Sequence, residues 1–299
     1  MSKVLVVHKK SSLELFTEAP PSATRDRALA DEARRESHQI HTASLQQVLA
    51  VLDSRGVDYQ KIYRSELQPV DTSLDAIIIV GGDGTTLDTT HYVSTADIPI
   101  IGVNSDPTSS VGFYTCCTAD TFAGIFYSLD TQPRTTFPRL EVLLNGQQIL
   151  EPVLNDILVA HSSPAAYTRY VLTVDGKKIV NQANNNRLRS SGLVIAAAGG
   201  STAWMYNLQG TIMPLTSTTM QYKERDVRNL PIAFAEREIK IESLTREGRI
   251  FIDGDHIQYP FTLGDTVLVK AGHPVQIVGN IDLKRQQYRE EKVPRKFTD

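Results

Sequence analysis

The 299-residue chain carries 31 Lys and Arg against 34 Asp and Glu, a formal net charge of -3, with 41% hydrophobic residues and two cysteines. That length exceeds one ordinary hydrophobic core and predicts two domains of about 100 to 200 residues each. The charge balance excludes the basic excess of a nucleic-acid binder, no apolar run approaches the ~20 residues of a membrane span, and the neighbours Cys116 and Cys117 cannot build a disulfide framework. The amino terminus passes straight into a short apolar run, without the longer apolar core of a signal peptide, so a cytoplasmic location is expected.

Val4 to Val7, a β-branched and leucine run, predicts a buried parallel strand. Thr17 to Arg27 carries prolines and charges without periodicity and reads as an exposed loop. Leu29, Ala33, Ile40, Ser44, Val48, Val51 and Leu52 then recur at near-helical spacing, with Gly56 as the C-terminal stop. Asp58 to Tyr63 suits a short strand, Ala76 to Val80 a clearer one, Thr86 to Val93 a helix and Ile100 to Asn104 the next strand. Strands alternating with helices predict a doubly wound, mostly parallel α/β domain over 1–137, whose ligands sit at the carboxyl ends of the strands.

Beyond Pro133 to Pro138 the pattern changes. Asn-Gly and Asp-Gly pairs separate β-rich runs in "EVLLNGQQIL", "YVLTVDGKKIV" and "RIFIDGDHIQY", which predicts a mainly antiparallel β domain over 138–278. The charged segment 279–299 reads as a terminal helix or tail that packs back on the first domain. The fold class is therefore α/β plus β.

Three constellations carry chemistry. In the first, Gly81, Gly82, Asp83, Gly84 and Thr85 close the strand Ala76 to Val80. Glycines permit positive φ and let a phosphate approach backbone N–H groups, and the helix that follows offers a partly positive N-terminus to the same anion. Asp83 is either an N-cap or a group that handles a proton, a hydroxyl or a phosphate-bound metal. The Lys of a Walker A loop is absent, and the spacing is not that of the dinucleotide fingerprint.

The second is "EPVLNDILVAH", in which Asn155 and Asp156 interrupt an apolar run. Each costs about 1 to 3 kcal/mol if left unsatisfied, so each needs a partner. That partner is the backbone of a bulge or turn, or a ribose diol, which a carboxylate and an amide together can hold. The third is "RSSGLVIAAAGGSTAWMYNLQG": a strand, Leu193 to Ala198, enters Gly199 and Gly200, after which Ser201 or Thr202 can cap a short helix. Trp204 and Tyr206 either flank an aromatic base or pack in the core.

The order GGDGT, then Asn-acid, then GST-A followed by an aromatic resembles the NAD kinase family, over about Asp75 to Asp265. GGDGT alone is also similar to loops of diacylglycerol and sphingosine kinases and phosphofructokinases. "GVNSDPT", Gly102 to Thr108, looks most like the short NADH-preferring kinases of plants, and Val111-Gly112-Phe113 resumes the common family pattern.

The resemblance implies transfer of the ATP γ-phosphoryl to the 2′-hydroxyl of the adenosine ribose of NAD or NADH. It implies Asp83 by the acceptor ribose and Gly81, Gly82, Gly84 and Thr85 at the phosphates. It implies Asn155 and Asp156 on the adenosine diol, Asp156 being one methylene shorter than the usual Glu. Thr202, Ala203, Trp204 and Asn207 fall where the family surrounds the adenine, and Asn104, Phe113 and Ser191 join the NAD site. Ser190-Ser191-Gly192 replaces a Gly-Asp-Gly, and Ala197-Ala198-Gly199 replaces a Thr-Pro-Thr, changes that bear on cofactor preference.

Mg²⁺ or another divalent cation is expected to arrive on the ATP phosphates, with no protein metal ligands. The expected partners are ATP and NAD or NADH, with no nucleic acid, no membrane, and a homodimer or homotetramer. His38 and His41 share a helical face and read as solvated surface histidines; Lys9 and Lys10, at the end of the first strand, either reach ATP or form a snorkelling surface pair, the second being the simpler reading. The alternative functions are a lipid kinase with the same loop and a non-catalytic nucleotide sensor.

Overall fold

A computed structural model describes residues 3–17, 27–149, 151–180 and 187–291. The chain divides into two compact units, Met1–Thr135 with Gln276–Asp299, and Thr136–Val275.

The first unit is α/β. Its strands are β1 (Lys3–His8), β2 (Asp58–Tyr63), β3 (Ala76–Gly81), β4 (Ile100–Asn104) and the short β5 (Cys117–Thr118). They pair in parallel in the order β2-β1-β3-β4-β5, and Ile277 of the returning chain pairs with Ile100 of β4. The helices are α1 (Ser12–Thr17), α2 (Arg27–Ser54), α3 (Asp83–Thr90), α4 (Ala119–Tyr127) and, near the C-terminus, α6 (Ile281–Glu291).

Strand alternation sends Val4, Val6, Ala76, Ile78, Val80, Ile101 and Val103 into one core, where α2 adds Val48 and Leu52 and α4 adds Phe122 and Phe126. Burying each such large side chain contributes about 1.5 to 3 kcal/mol. Leu5, Val7, Ile77 and Ile79 are buried as well, and α3 lies against β1 and β3, so both faces of the sheet are covered. The C-terminal end of α2 passes into Gly56 at φ +61, the left-handed conformation glycine takes without penalty. Most of the segment expected as a loop at Thr17 to Arg27 lies outside the described residues. The helix expected from Thr86 starts three residues earlier, at Asp83.

The second unit is mainly antiparallel β. Its strands are β6 (Arg134–Leu144), β7 (Gln147–Gln148), β8 (Asp156–His161), β9 (Thr168–Val174), β10 (Lys177–Lys178), β11 (Leu188–Ser190), β12 (Leu193–Ala196), β13 (Met220–Glu224), β14 (Ala233–Ala235), β15 (Glu238–Ser243), β16 (Gly248–Ile252), β17 (Ile257–Phe261) and β18 (Thr266–Val278), with the short helix α5 (Trp204–Asn207). One sheet runs β14-β13-β12-β8-β16-β17, and β9, β15 and β18 belong to a second. The core between them takes Ile157, Val159, Leu193, Ile195, Ile250 and Ile252 from the first, and Tyr170, Leu172, Ile239, Ile241, Val267 and Val269 from the second.

The hairpins close where their sequences predict. Asn145 and Gly146 have φ 52 and 81, and Asp175 and Gly176 have φ 50 and 78, the paired positive angles of a tight hairpin turn. The strand expected to reach Ala198 stops at Ala196, because the chain turns there into a 3-10 segment, Gly199–Thr202.

Candidate functional site

In the first unit the GGDGT loop sits at the carboxyl end of β3. Gly82 is the N-cap of α3, with φ -120 and ψ -164, and Asp83 is the first helical residue. None of Gly81, Gly82 and Gly84 has a positive φ, which corrects the expectation of left-handed glycines. Close packing selects the first two instead: a Cβ on Gly81 would stand 2.7 Å from that of Thr85, and one on Gly82 would stand 2.6 Å from Ser110 Oγ. Gly84 is exposed, and its nearest neighbour would be Arg64 Nη1 at 3.5 Å. Thr85 is buried, and its N–H donates to Gly82 O at 3.0 Å.

Asp83 is half-buried. Its Oδ1 accepts the backbone N–H of Tyr114 at 2.7 Å, which fixes the carboxylate against the loop that follows β4. That loop is tightly tied. Asn104 donates from Nδ2 to Ser110 O at 3.1 Å and accepts the N–H of Asp106 at 3.2 Å, so its amide shapes the loop from inside. Gly112 has φ +64, and a Cβ there would overlap the Asn104 amide. Lys284 of α6 donates from Nζ to Gly112 O at 2.8 Å and Thr115 O at 2.6 Å, clasping the same turn. Phe113 is half-buried and meets the Tyr114 ring edge-on at 5.2 Å.

His41 is buried, contrary to the expectation of a solvated histidine. Its Nδ1 shares a hydrogen bond with Ser105 Oγ at 2.8 Å and its Nε2 one with Lys9 O at 3.1 Å. Burial and the Lys9 charge push its pKa down to about 4, so it is neutral at pH 7. The carboxylate of Asp106 accepts from Ser37, Thr108 and Ser109, each at 2.6 Å; these bonds outweigh burial and hold its pKa at about 2. The link from Ser37 and His41 to Asp106 and Ser105 pins α2 to the "SDPT" turn. Spacing on α2 could not show it, because the partners lie 64 and 69 residues away.

In the second unit the backbone around Asn155 and Asp156 has one principal partner that the sequence reading missed. Asp253 accepts three backbone N–H groups, from Leu154 at 2.8 Å, Asn155 at 2.8 Å and Asp156 at 2.9 Å. Asp253 stands in the Asp-Gly turn between β16 and β17, read from sequence only as a hairpin signal. Arg139, 1% exposed, interacts electrostatically with it, and its own Nε donates to His273 O at 2.7 Å. Burial and the neighbouring Asp253 push the Asp156 carboxyl up to about 7, and burial pushes Asp253 up to about 6 against its three N–H bonds.

Gly199 and Gly200 press on the same backbone. A Cβ on Gly199 would stand 2.7 Å from Leu154 O, and one on Gly200 would overlap the Asn155 carbonyl. The second and third constellations are thereby one packed assembly, with Ala197 N–H donating to Asn155 O at 2.9 Å. Ser201 and Thr202 are not helix caps: their hydroxyls donate to Ala198 O and Gly199 O within the 3-10 segment, and Ala203 holds the N-cap position of α5. Trp204 is half-buried against Leu158, Ala160, Val194 and Met205, with the Arg225 guanidinium 5.2 Å from its ring centre, while Asn207 is exposed. Ser191 lines a cleft of about 260 Å³ with Ala160, His161, Arg225 and Phe251.

The fold is shared with solved NAD(H) kinases. An NAD kinase from Archaeoglobus fulgidus in complex with ATP superposes with a TM-score of 0.67 at 20% identity, covering 96% of this chain and 98% of that one. A yeast NADH kinase complexed with NADH gives 0.72 at 15% identity, covering 100% and 90%. The family model for the ATP-NAD kinase N-terminal domain matches residues 13–130. A probable NADH kinase of Oryza sativa subsp. japonica is 30% identical over 270 residues, 79% of this chain and 80% of its own. The NADH kinase of Arabidopsis thaliana is 29% identical over 279 residues, 79% and 82%. The chain belongs to the NAD kinase family.

Proposed function

We propose that the chain is a phosphotransferase that moves the γ-phosphoryl group of ATP to the 2′-hydroxyl of the adenosine ribose of NAD or NADH, giving NADP or NADPH. The observation that carries the assignment is Asp83, an only half-buried carboxylate at the first turn of α3 and the carboxyl edge of a parallel sheet, oriented by the Tyr114 N–H. One oxygen so held leaves the other to accept from a sugar hydroxyl.

Phosphoryl transfer passes through a loose transition state, where positioning and charge stabilisation outweigh early deprotonation. Asp83 accordingly orients the 2′-hydroxyl and takes its proton late. Gly82 and Gly84 bring the first N–H groups of α3 toward the phosphates, with Gly81 and Thr85 packed beneath them. Asn155 and Asp156 hold the adenosine diol, positioned by Asp253, while Thr202, Ala203, Trp204 and Asn207 surround the adenine. Ser191 and Phe113 complete the NAD site, and Asn104 serves it by shaping its own loop.

A divalent cation, Mg²⁺ or another, travels with ATP and neutralises phosphate charge when bound. No described helix is long and apolar enough to cross a membrane. The protein acts as a cytoplasmic homodimer or homotetramer, and the unbridged Cys116 and Cys117 fit a reducing compartment.

Family membership weighs against a lipid kinase, and the retained Asp83 and Asn155-Asp156 against a turnover-dead sensor. Incubation with labelled ATP and NAD, NADH or diacylglycerol in parallel tests all three. NADP or NADPH should form; label in the lipid alone, or in nothing, would overturn the assignment.

A further inference from the structure

The GGDGT loop in its own unit is short of positive charge for a triphosphate. Asp83 and Asp88 both lie in α3, and the chain as a whole is acidic. Of the cations near the loop, Lys284 has its Nζ engaged by Gly112 O and Thr115 O. Two others are differently placed.

Lys9 directly follows β1, which pairs with β3 so that His8 stands opposite Val80. Continuing that register sets Lys9 beside Gly81, where the loop begins. Its side chain is half-buried at this edge, and among the described residues its Nζ meets no carboxylate within ion-pair distance. Asp106, the acid it interacts with at longer range, has its oxygens occupied by Ser37, Thr108 and Ser109. His41 holds the Lys9 carbonyl, so the backbone that carries the ammonium is fixed.

Arg64 starts the 3-10 turn after β2. Its Nη1 meets Asp88 Oδ2 at 3.1 Å and lies 3.5 Å from where a Cβ on Gly84 would stand. The guanidinium therefore lies beside Gly84, the exposed residue in the first turn of α3, and one carboxylate leaves several of its five N–H donors for a ligand. Lys9 and Arg64 are close enough to repel one another electrostatically, which brings two cations to one rim. Two like charges held together without a full complement of acids fit a polyanion.

We propose that Lys9 and Arg64 bind the triphosphate of ATP at the GGDGT loop, Arg64 from above Gly84 and Lys9 from the end of β1. The proposal rests on the kinase reading and deepens it by naming the donor's charge partners. Of the two sequence-based readings of Lys9, it takes the one in which the ammonium reaches ATP over the one in which it snorkels at the surface. Arg64 gave no sequence signal, since it stands 17 residues before the first glycine of GGDGT.

The test is steady-state kinetics with MgATP and NADH varied in turn for Lys9→Met, Lys9→Arg, Arg64→Gln and the parent protein. KM for ATP should rise about tenfold in Lys9→Met and Arg64→Gln, as expected for loss of a charge-assisted contact, with KM for NADH within twofold. Lys9→Arg should recover most of the loss, which a merely structural lysine would not predict. A second measurement needs no variant: acetic anhydride labelling of the unmodified protein, read by mass spectrometry. Inorganic tripolyphosphate should slow acetylation of Lys9 severalfold. Unchanged KM for ATP in both variants, or Lys9 labelled at the same rate with and without tripolyphosphate, would overturn the proposal. Should the parent protein turn over neither NAD nor NADH, the kinase reading fails, and Lys9 protection still decides whether the rim binds polyphosphate.

Discussion

The carboxylate of Asp253 accepts the backbone N–H of Asn155 at 2.8 Å, across 98 positions of sequence. Because it also accepts from Leu154 and Asp156, one side chain fixes the backbone from which Asn155 and Asp156 project. Asp253→Ala strands three backbone donors in a buried site, and at about 1 to 3 kcal/mol for each unsatisfied group the loss is several kcal/mol. Urea denaturation should show it. Asp253→Asn keeps an acceptor and should lose less stability, with KM for NADH raised more than KM for ATP.

Asp83→Asn retains an oxygen for the Tyr114 N–H, so the loop should hold its shape. Its thermal midpoint is expected to stay within a few degrees of the parent, while kcat falls about 10²-fold or more under the proposed role of the Asp83 carboxylate in orienting the hydroxyl and taking its proton late. Normal NADH binding with near-full turnover would end the catalytic assignment.

Asp156 and Asp253 form a buried acidic pair that releases its protons later in the folded than in the unfolded chain, with values of about 7 and about 6. As pH rises from about 4, the unfolded carboxyls ionise while the folded pair keeps its protons, so stability falls until about pH 7 and then levels off. Asp156→Asn should flatten this part of the difference profile, measured by denaturation at a series of pH values. If Asp156 faces the diol, its ionisation also strengthens repulsion of a ligand that already bears a 2′-phosphate. Discrimination against NADP should then rise with pH in the parent and not in Asp156→Asn.

His41 acts with the opposite sign. Its folded value of about 4 lies below the ordinary histidine range, so between about pH 6.5 and 4 the unfolded chain takes up a proton that the folded chain refuses. Stability is lost as pH falls through that window. In His41→Gln, which keeps hydrogen bonding and cannot titrate there, this acid-side loss should shrink when the two denaturation profiles are subtracted. An identical slope in both proteins would show that His41 is not the group responsible.

Two glycines offer a steric contrast. Gly200→Ala would drive a methyl into the Asn155 carbonyl, a backbone atom with nowhere to move, and should destabilise by several kcal/mol or prevent folding. Gly84→Ala meets only Arg64 Nη1 at 3.5 Å in a helical turn, so the fold should tolerate it. Any rise in KM for ATP with Gly84→Ala then reports crowding of the bound phosphates.

Sequence alone determined the alternation of strands and helices in the first half and the hairpin-rich β character of the second. Those properties are local: periodicity decides which face of an element is buried, and Asn145-Gly146 or Asp175-Gly176 decides a turn within two residues. It also marked Asp83, Asn155, Asp156 and the Gly199-Gly200 loop, because polar or flexible residues inside apolar runs are conspicuous. Tertiary structure alone decided which residues answer them. Asp253 holds Asn155, Tyr114 holds Asp83, His41 turns inward to Ser105, and Arg64 reaches across Gly84. Each pair is distant in sequence, and its energy comes from burial and direction, which no spacing along the chain encodes.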